Sequence, residues 1–204
     1  MTPPQFIQQL IIGIQSTSAL EYIAVAAGIV SVWFSRKENI LVYPIGLINT
    51  VIFTWLCFKK WGLFAEGSLN FYYTIMSFYG WYNWAKKSNK KQIEITYNNK
   101  KDWTIAIIFF IISWIILFFI LNKLTSSSVP FADSFASATA YTAMWQMTKK
   151  KLENWMWWIL TNIASIPLYF YKEAVFSSLQ YIVFLVLAIA GLIEWKKKIK
   201  YAAN

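Results

Sequence analysis

The feature that most constrains this chain is a series of apolar runs, each about 17 to 20 residues long and separated by short lysine-rich segments. An α-helix of that length matches the thickness of a bilayer core. The runs predict seven membrane-spanning helices, at 19–35, 40–58, 67–85, 103–121, 129–147, 154–171 and 176–195. The sequence therefore predicts an all-α, multi-pass membrane protein.

Composition and charge agree with this reading. The chain is 58% hydrophobic and only 14% charged, which is too apolar for a soluble domain of this size. Its net charge of +10 would suit a nucleic-acid partner, but the positive residues lie between the spans, so no nucleic-acid partner is expected. Alternate connecting segments hold fifteen positive residues against four. The positive-inside rule then places the N-terminus outside and the C-terminus in the cytoplasm.

Several function classes are excluded or disfavoured by the residues that are missing. The chain has no histidine and one cysteine, Cys57, which excludes Cys/His metal sites, a Ser-His-Asp triad and an internal disulfide. The acidic residues lie mostly at predicted helix ends, and no acidic or basic side chain falls near the middle of a span. Neither an enzyme nor a cofactor is expected, and facilitated diffusion needs fewer assumptions than ion coupling through backbone carbonyls. A sensor is disfavoured because the longest loop is too short for a signalling domain.

The spans divide the chain into five segments. Residues 1–18 predict a short interfacial helix, 19–85 a first three-helix unit, 86–128 a basic cytoplasmic loop and a connector helix, 129–195 a second three-helix unit, and 196–204 a basic cytoplasmic tail. The connector, "WTIAIIFFIISWIILFFIL", is apolar all round and predicts a lipid-facing helix.

The two three-helix units resemble each other in sequence. The first helices share an acid and a tryptophan twelve residues apart, and each is followed by a basic cluster that ends in Glu-Asn. The second helices each carry a central asparagine and a proline; the third begin with "SLNF" or "SLQY" and end with "GWYNW" or "GLIEW". The matched positions are Glu21 with Asp133, Trp33 with Trp145, 38–39 with 153–154, Asn49 with Asn162, and Pro44 with Pro167. One connector helix between parallel repeats predicts a 3+1+3 architecture with a substrate site between the halves.

The stretch "NWMWWILTN", at 154–162, supplies the strongest candidate site residues. Trp155, Trp158 and Asn162 are spaced i, i+3 and i+7, so they share one helix face. An aromatic belt at the membrane interface is the alternative for any one tryptophan, and we favour it for Trp157. An amide in hydrocarbon is costly unless it bonds another helix or faces a wet cavity. For Asn162 we favour the cavity.

Four further polar residues are candidate substrate-binding groups. Asn49 is expected to face Asn162 at the centre of the bundle, while Asn70 and Gln180 begin the third helices and Gln146 ends the fifth span. The last three could instead be interfacial residues. Tryptophans and amides together suit a ligand with a cationic ring and hydroxyl groups, because the indole face attracts the cation and the amides bond the hydroxyls.

The remaining polar features have structural interpretations. Glu21 and Asp133 are expected to cap their own helices. The small-residue run at 132–143 is expected to allow close helix packing, with a polar cavity wall as the alternative.

The repeat and the pattern Trp-x-x-Trp-x-x-x-Asn together resemble the PnuC family of bacterial vitamin transporters. The stretches "NILVYPIGLINT" at 39–50, "GLFAEGSLNFYY" at 62–73 and "GWYNW" at 80–84 also resemble that family. The resemblance covers nearly the whole chain after about residue 19, and the motif at Trp155, Trp158 and Asn162 is its most specific part.

This resemblance implies a SWEET-like fold in the bacterial inner membrane and a homo-oligomer, expected to be a trimer. It implies facilitated uptake of a vitamin by alternating access, with trapping by a cytoplasmic kinase that need not form a stable complex with the transporter. Members of the family are assigned to nicotinamide riboside, thiamine or riboflavin. Nicotinamide riboside is preferred because it is the commonest assignment, and thiamine is the alternative because it also carries a cationic ring.

Overall fold

In the residues that the structure describes, the regular structure is helical apart from one short hairpin and an isolated bridge between Thr96 and Lys151. The computed structural model describes residues 3–61, 64–88, 91–125 and 128–202, so the first two residues of the predicted interfacial helix and the last two of the predicted tail lie outside it. The helices in this part are α1 (Pro3–Ser16), α2 (Ala19–Arg36), α3 (Val42–Trp55), α4 (Phe64–Ala85), α5 (Lys100–Leu124), α6 (Pro130–Thr148), α7 (Asn154–Tyr171) and α8 (Val175–Ala202). A π-helical segment, Leu56–Trp61, continues α3. Strands β1 (Lys87–Ser88) and β2 (Lys91–Gln92) pair antiparallel.

The N-cap of α2 is Ser18 rather than Glu21, the residue that the sequence pattern predicts. The Oγ of Ser18 accepts from the Glu21 backbone N–H at 3.4 Å and donates to Glu21 Oε1 at 2.7 Å. The carboxylate of Asp133 bonds a residue outside its own helix: both of its oxygens accept from Lys172 Nζ, at 2.6 and 2.7 Å. That ion pair ties the start of α6 to the end of α7.

Six helices pack in a closed ring in the order α2, α3, α4, α6, α7 and α8, and α8 returns to α2. Helix α6 is the most buried of them, with Ser134, Thr139 and Thr142 fully enclosed. Its small-residue run therefore serves close packing on one face, while Ala136, Ser137 and Ala140 of the same run line a cavity on another. Helix α1 packs on α8, and α5 packs on α6 outside the ring.

Helix α5 buries few of its residues against the protein and leaves its isoleucines exposed. Its buried Ala106 packs with Ala143 of α6 and Trp157 of α7, whereas Ile108, Ile112 and other isoleucines of α5 are exposed. Trp157 is only 9% exposed and packs against the Phe110 ring at 5.3 Å between centroids. The interfacial-belt prediction for Trp157 is therefore wrong, because α5 covers the indole that the sequence pattern left without a partner.

Among the described residues, four helical segments are long and apolar enough to cross a membrane by length and composition: Ala19–Arg36, Val42–Lys60, Lys100–Leu124 and Val175–Tyr201. Seven spans were predicted; α4, α6 and α7 carry polar or small residues among their apolar ones, which lowers their apolarity. The basic stretch predicted as a separate tail is helical, because α8 runs to Ala202.

The turns between α2 and α3 and between α6 and α7 have the same backbone hydrogen bonds, at positions 112 residues apart. The Glu38 N–H donates to the Ser35 carbonyl at 2.9 Å, and the Lys150 N–H donates to the Met147 carbonyl at 3.0 Å. Glu38 and Lys150 also share a positive φ, 60° and 50°. Glu38 therefore corresponds to Lys150. The sequence match, which paired Glu38 with Glu153, is wrong at this position.

This register continues into the following helices, since α3 and α7 also begin 112 residues apart, at Val42 and Asn154. It pairs Asn49 with Thr161 and Thr50 with Asn162, a shift of one residue from the match made on the sequence. One residue along an α-helix is a rotation of about 100°. The two asparagines consequently point in different directions relative to their own halves.

Candidate functional site

A cavity of about 1550 Å³ lies within the ring and extends to α1 and α5 outside it. At one end it is lined by Glu21, Asp133 and Leu124, and Leu124 is 78% exposed, so this end opens to the surface. At the other end its lining includes the buried side chains of Tyr43 and Trp155. Such a volume exceeds that of most small-molecule pockets and leaves room for a ligand together with water.

Most of the sequence-predicted site residues line this cavity. They are Asn49, Asn70, Trp155, Trp158, Asn162 and Gln180. Gln146 is the exception: it is 1% exposed in the last turn of α6, and its side-chain Oε1 has no hydrogen-bond partner among the described residues. The structure thus brings six of the seven candidates to one cavity and places Gln146 beside it.

Asn162 lies within this cavity lining with its amide unsatisfied by protein. It is 3% exposed on the inner face of α7, and within the described part of the chain its side chain makes no hydrogen bond. Trp158 and Ser165, each about one turn away, line the same wall. A buried amide without a protein partner is costly, so a ligand or water is expected to bond it.

Asn49, by contrast, is bonded to its neighbouring helix. Its Nδ2 donates to the Ala24 carbonyl of α2 at 2.7 Å. Gly28 permits this approach, since a Cβ at that position would lie 2.8 Å from Asn49 Nδ2. Asn70 Nδ2 donates to the Glu66 carbonyl one turn back in its own helix, at 2.9 Å. The expected facing pair of amides is therefore replaced by one bonded amide and one unpaired amide.

Tyrosines form much of the cavity wall, and sequence reasoning missed them. The Tyr73 ring lies 6.1 Å from that of Trp158, Tyr72 stacks on Tyr141 at 4.2 Å, and Tyr181 lines the wall as well. Tyr141 did leave a signal, because it is a large aromatic residue inside the run of small residues at 132–143. A bulky side chain in such a run is a candidate to project from the packed face.

The cavity floor repeats the same aromatic arrangement in both halves. The Tyr43 ring lies against Gly80 and the Trp155 ring against Gly191, where added Cβ atoms would come within 2.4 and 2.6 Å of the rings. The side chains of Tyr43 and Trp155 are both buried, and Trp155 is 1% exposed. Trp155 is thus a floor residue of the cavity, whereas Trp158 presents more of its ring to the interior.

The charges that line the cavity are confined to its open end and are mostly negative. They are Glu21, Glu66, Asp133, Lys172 and Glu173. Lys172 is paired with Asp133, and Glu21 is paired with Lys60 at 3.3 Å. Aromatic faces, an unpaired amide and an acidic entrance suit a small cationic ligand that carries hydroxyl groups, and they offer little to a phosphate.

Known proteins similar to this chain include transporters of nicotinamide compounds. A family model described as "Nicotinamide mononucleotide transporter" matches residues 18–197. The chain is similar to the nicotinamide riboside transporter PnuC of Escherichia coli (strain K12), with 24% identity over 87% of this chain and 85% of that protein. It is similar to PnuC of Neisseria mucosa, with 24% identity over 95% of this chain and 78% of that protein. A crystal structure of the vitamin B3 transporter PnuC superposes with a TM-score of 0.73 at 23% identity, covering 97% of this chain and 88% of that one.

Proposed function

The chain belongs to the nicotinamide mononucleotide transporter family, and on that basis we propose that it carries nicotinamide riboside across a membrane by facilitated diffusion. The observation that carries the proposal is the unpaired Asn162 amide beside Trp158 in the central cavity. The names of the E. coli and N. mucosa relatives support the same substrate.

In the proposed complex the pyridinium ring lies against Trp158 and Tyr73, whose rings are 6.1 Å apart. The electron-rich faces of these rings attract the cation in a partly desolvated site. Asn162 bonds the carboxamide or a ribose hydroxyl, and Asn70 and Gln180 extend the polar path. We assign Asn49 to holding α3 against α2, Trp155 to the floor, and Gln146 to packing at the end of α6.

The riboside is favoured over the mononucleotide because of the charges along the cavity. A phosphate would add roughly two negative charges at neutral pH. The lysine among the lining residues, Lys172, is already bonded to Asp133, and the other charged lining residues are acidic. A cation without a phosphate meets no such repulsion at the entrance.

We further propose the architecture and topology that this function needs. Helices α2–α4 and α6–α8 form two parallel three-helix repeats, and α5 is the connector between them. The matched turns at Glu38 and Lys150 and the closed ring of six helices support this arrangement. The lysine distribution supports an outer N-terminus and a cytoplasmic C-terminus. The assembly is proposed to be a homotrimer, which light scattering of the purified protein would test.

Continued net uptake by this mechanism requires that the substrate be removed on the inner side of the membrane. Facilitated diffusion only brings the substrate to electrochemical equilibrium across the membrane, so phosphorylation by a cytoplasmic kinase would trap the product. The added phosphate prevents return through a cavity with an acidic entrance. A stable complex with the kinase is not needed.

Calorimetry with the purified, detergent-solubilised protein tests the substrate. Nicotinamide riboside, its mononucleotide, thiamine and riboflavin are titrated in parallel. Micromolar binding of the riboside, with the mononucleotide at least tenfold weaker, is the expected result. Binding of thiamine without the riboside would replace the proposed substrate, and equal binding of the mononucleotide would contradict the argument from charge.

A further inference from the structure

Two buried tryptophans lie just beyond the cavity floor, at the end of the ring that holds the α2–α3 and α6–α7 turns. We call this the basic end, because Lys150 and Lys198 also lie there, both bonded to Glu38. Trp84 and Trp195 are 2% and 0% exposed and are not among the residues that line the cavity. Their rings are 6.1 Å apart and plug the centre of the ring of helices.

Each of these tryptophans bonds across the boundary between the two three-helix repeats. Trp84 Nε1, on α4, donates to the Met147 carbonyl of α6 at 3.2 Å. Trp195 Nε1, on α8, donates to the Ser35 carbonyl of α2 at 3.0 Å. The two bonds are reciprocal, because Ser35 and Met147 hold corresponding places in the two turns. Separation of the halves at this end must break both bonds.

The acceptors make this contact easy to break and remake. The Ser35 carbonyl also accepts from the Glu38 N–H, and the Met147 carbonyl also accepts from the Lys150 N–H. When an indole leaves, each carbonyl keeps its bond within the turn, so no buried acceptor is stranded. The released indole N–H would enter the opened, hydrated path and could bond water.

An ion pair reinforces the same boundary. Lys150 Nζ lies 2.8 Å from Glu38 Oε1 and 4.6 Å from the centroid of the Trp84 ring. Glu38 and Lys150 occupy corresponding positions in the two turns, so their ion pair joins the two halves at the same level as the indoles. Lys198 of α8 adds a second bond to Glu38, at 3.1 Å.

We propose that Trp84 and Trp195, with the Glu38–Lys150 pair, are the gate that closes the substrate path at the basic end. We call the two indoles the tryptophan clasp. In this structure the cavity is open at the acidic end and the clasp is shut. Passage of substrate to the basic side requires the two indoles to separate. This inference rests on the proposed transport function but concerns residues that contact no substrate.

Accessibility of a cysteine behind the clasp tests the gate without any substrate. Ser77 is buried, lines the cavity from α4 and lies two turns before Trp84, so Ser77→Cys in a Cys57→Ser background serves as the reporter. Sealed vesicles are selected in which a C-terminal tag faces the medium, and a membrane-impermeant maleimide is added. The variants are Trp84→Phe and Trp195→Phe, which keep an aromatic ring but lose the N–H. Trp81→Phe is the matched control, since Trp81 is 39% exposed on the same helix.

Each clasp variant is expected to raise the labelling rate about fivefold, the effect of one ordinary hydrogen bond on an open–closed equilibrium. The Trp81→Phe control should match the parent. Unchanged labelling in both clasp variants, or an equal increase in the control, would overturn the gate. If neither clasp variant folds, Glu38→Gln decides by the same measurement, with increased labelling supporting the gate and unchanged labelling overturning it.

Calorimetry with nicotinamide riboside on the same proteins separates this inference from the proposed function. Failure of every protein to bind the riboside would overturn the substrate while the labelling result still decides the gate. Unchanged affinity with increased labelling is the expected outcome, because the clasp lies outside the cavity.

Discussion

Helices α3 and α7 occupy corresponding places in the ring, after turns with the same hydrogen bonds, yet they use their polar residues differently. In α3, Asn49 is bonded to α2 and Thr50 accepts from Thr74 Oγ1 at 3.0 Å. In α7, the residue matching Asn49 is Thr161, which donates to Thr139 of α6 at 2.9 Å. The residue matching Thr50 is Asn162, which lines the cavity and whose side chain makes no hydrogen bond within the described residues.

The difference shows that two helices that follow turns with the same hydrogen bonds can use their polar side chains differently. In the first half, Asn49 packs against Gly28. The matching positions in the second half hold two residues of middle size, Thr161 and Ala140. A large residue opposite a small one, or two of middle size, fills similar space. The packing positions thus complement each other within each half, and the second half keeps an amide that bonds no protein group among the described residues.

The largest effect is expected from a substitution at Asn162. Replacement of this residue by alanine removes the unpaired amide, and we expect affinity for nicotinamide riboside to fall about a hundredfold, near 2.7 kcal/mol. Asn49→Ala is the matched control and should change affinity less than threefold. Calorimetry measures both, with size-exclusion chromatography to confirm the folded oligomer. Equal losses in the two variants would show that both amides contact substrate.

A methyl group at Gly28 tests the packing side of the comparison. Gly28→Ala places a Cβ against the Asn49 amide and should destabilise the protein by about 2 kcal/mol, the usual cost of overpacking. Adding Asn49→Thr reproduces the pair found in the second half and should recover most of that loss. Reversible unfolding in mixed detergent reports both proteins. A double variant no more stable than Gly28→Ala would contradict the correspondence between the halves.

Asn49→Ala is expected to lower the free energy of unfolding less than Gly28→Ala does. The variant loses one hydrogen bond between α3 and α2, which contributes about 1 kcal/mol in a helical membrane protein. The same unfolding measurement applied to Asn162→Ala should show a smaller loss, since that amide bonds no described protein group. The reverse order would make Asn162 the structural residue of the two.

The smallest effect is expected at Thr161. Thr161→Val keeps the shape of the side chain but removes the bond to Thr139, and about 0.5 kcal/mol is expected. Thr139 retains its own bond to the Ala136 carbonyl at 2.8 Å, so no donor is stranded. A loss above 2 kcal/mol would mean that this bond holds α7 to α6 far more firmly than its counterpart holds α3.

Much of the fold and part of the site could be predicted from the chain alone. The apolar runs correctly placed the long helices, and the matched "GWYNW" and "GLIEW" placed Gly80 with Gly191 and Trp84 with Trp195. The helical spacing of Trp155, Trp158 and Asn162 put all three on the cavity lining. The roles of Trp157 and Gln146 escaped prediction, because each depends on which neighbouring helix covers it.

What the sequence determined by itself is the helical, lipid-adapted character of the chain, its internal repeat and the helix face that carries the motif. These follow from local composition and from a period of 3.6 residues, which need no partner. The tertiary structure alone decided that the repeat aligns Asn162 with Thr50, that Asn49 meets a backbone carbonyl, and that two indoles close one end of the cavity. The physical reason is that a shift of one residue turns a side chain by about 100°, and only the packing of neighbouring helices determines what it then meets.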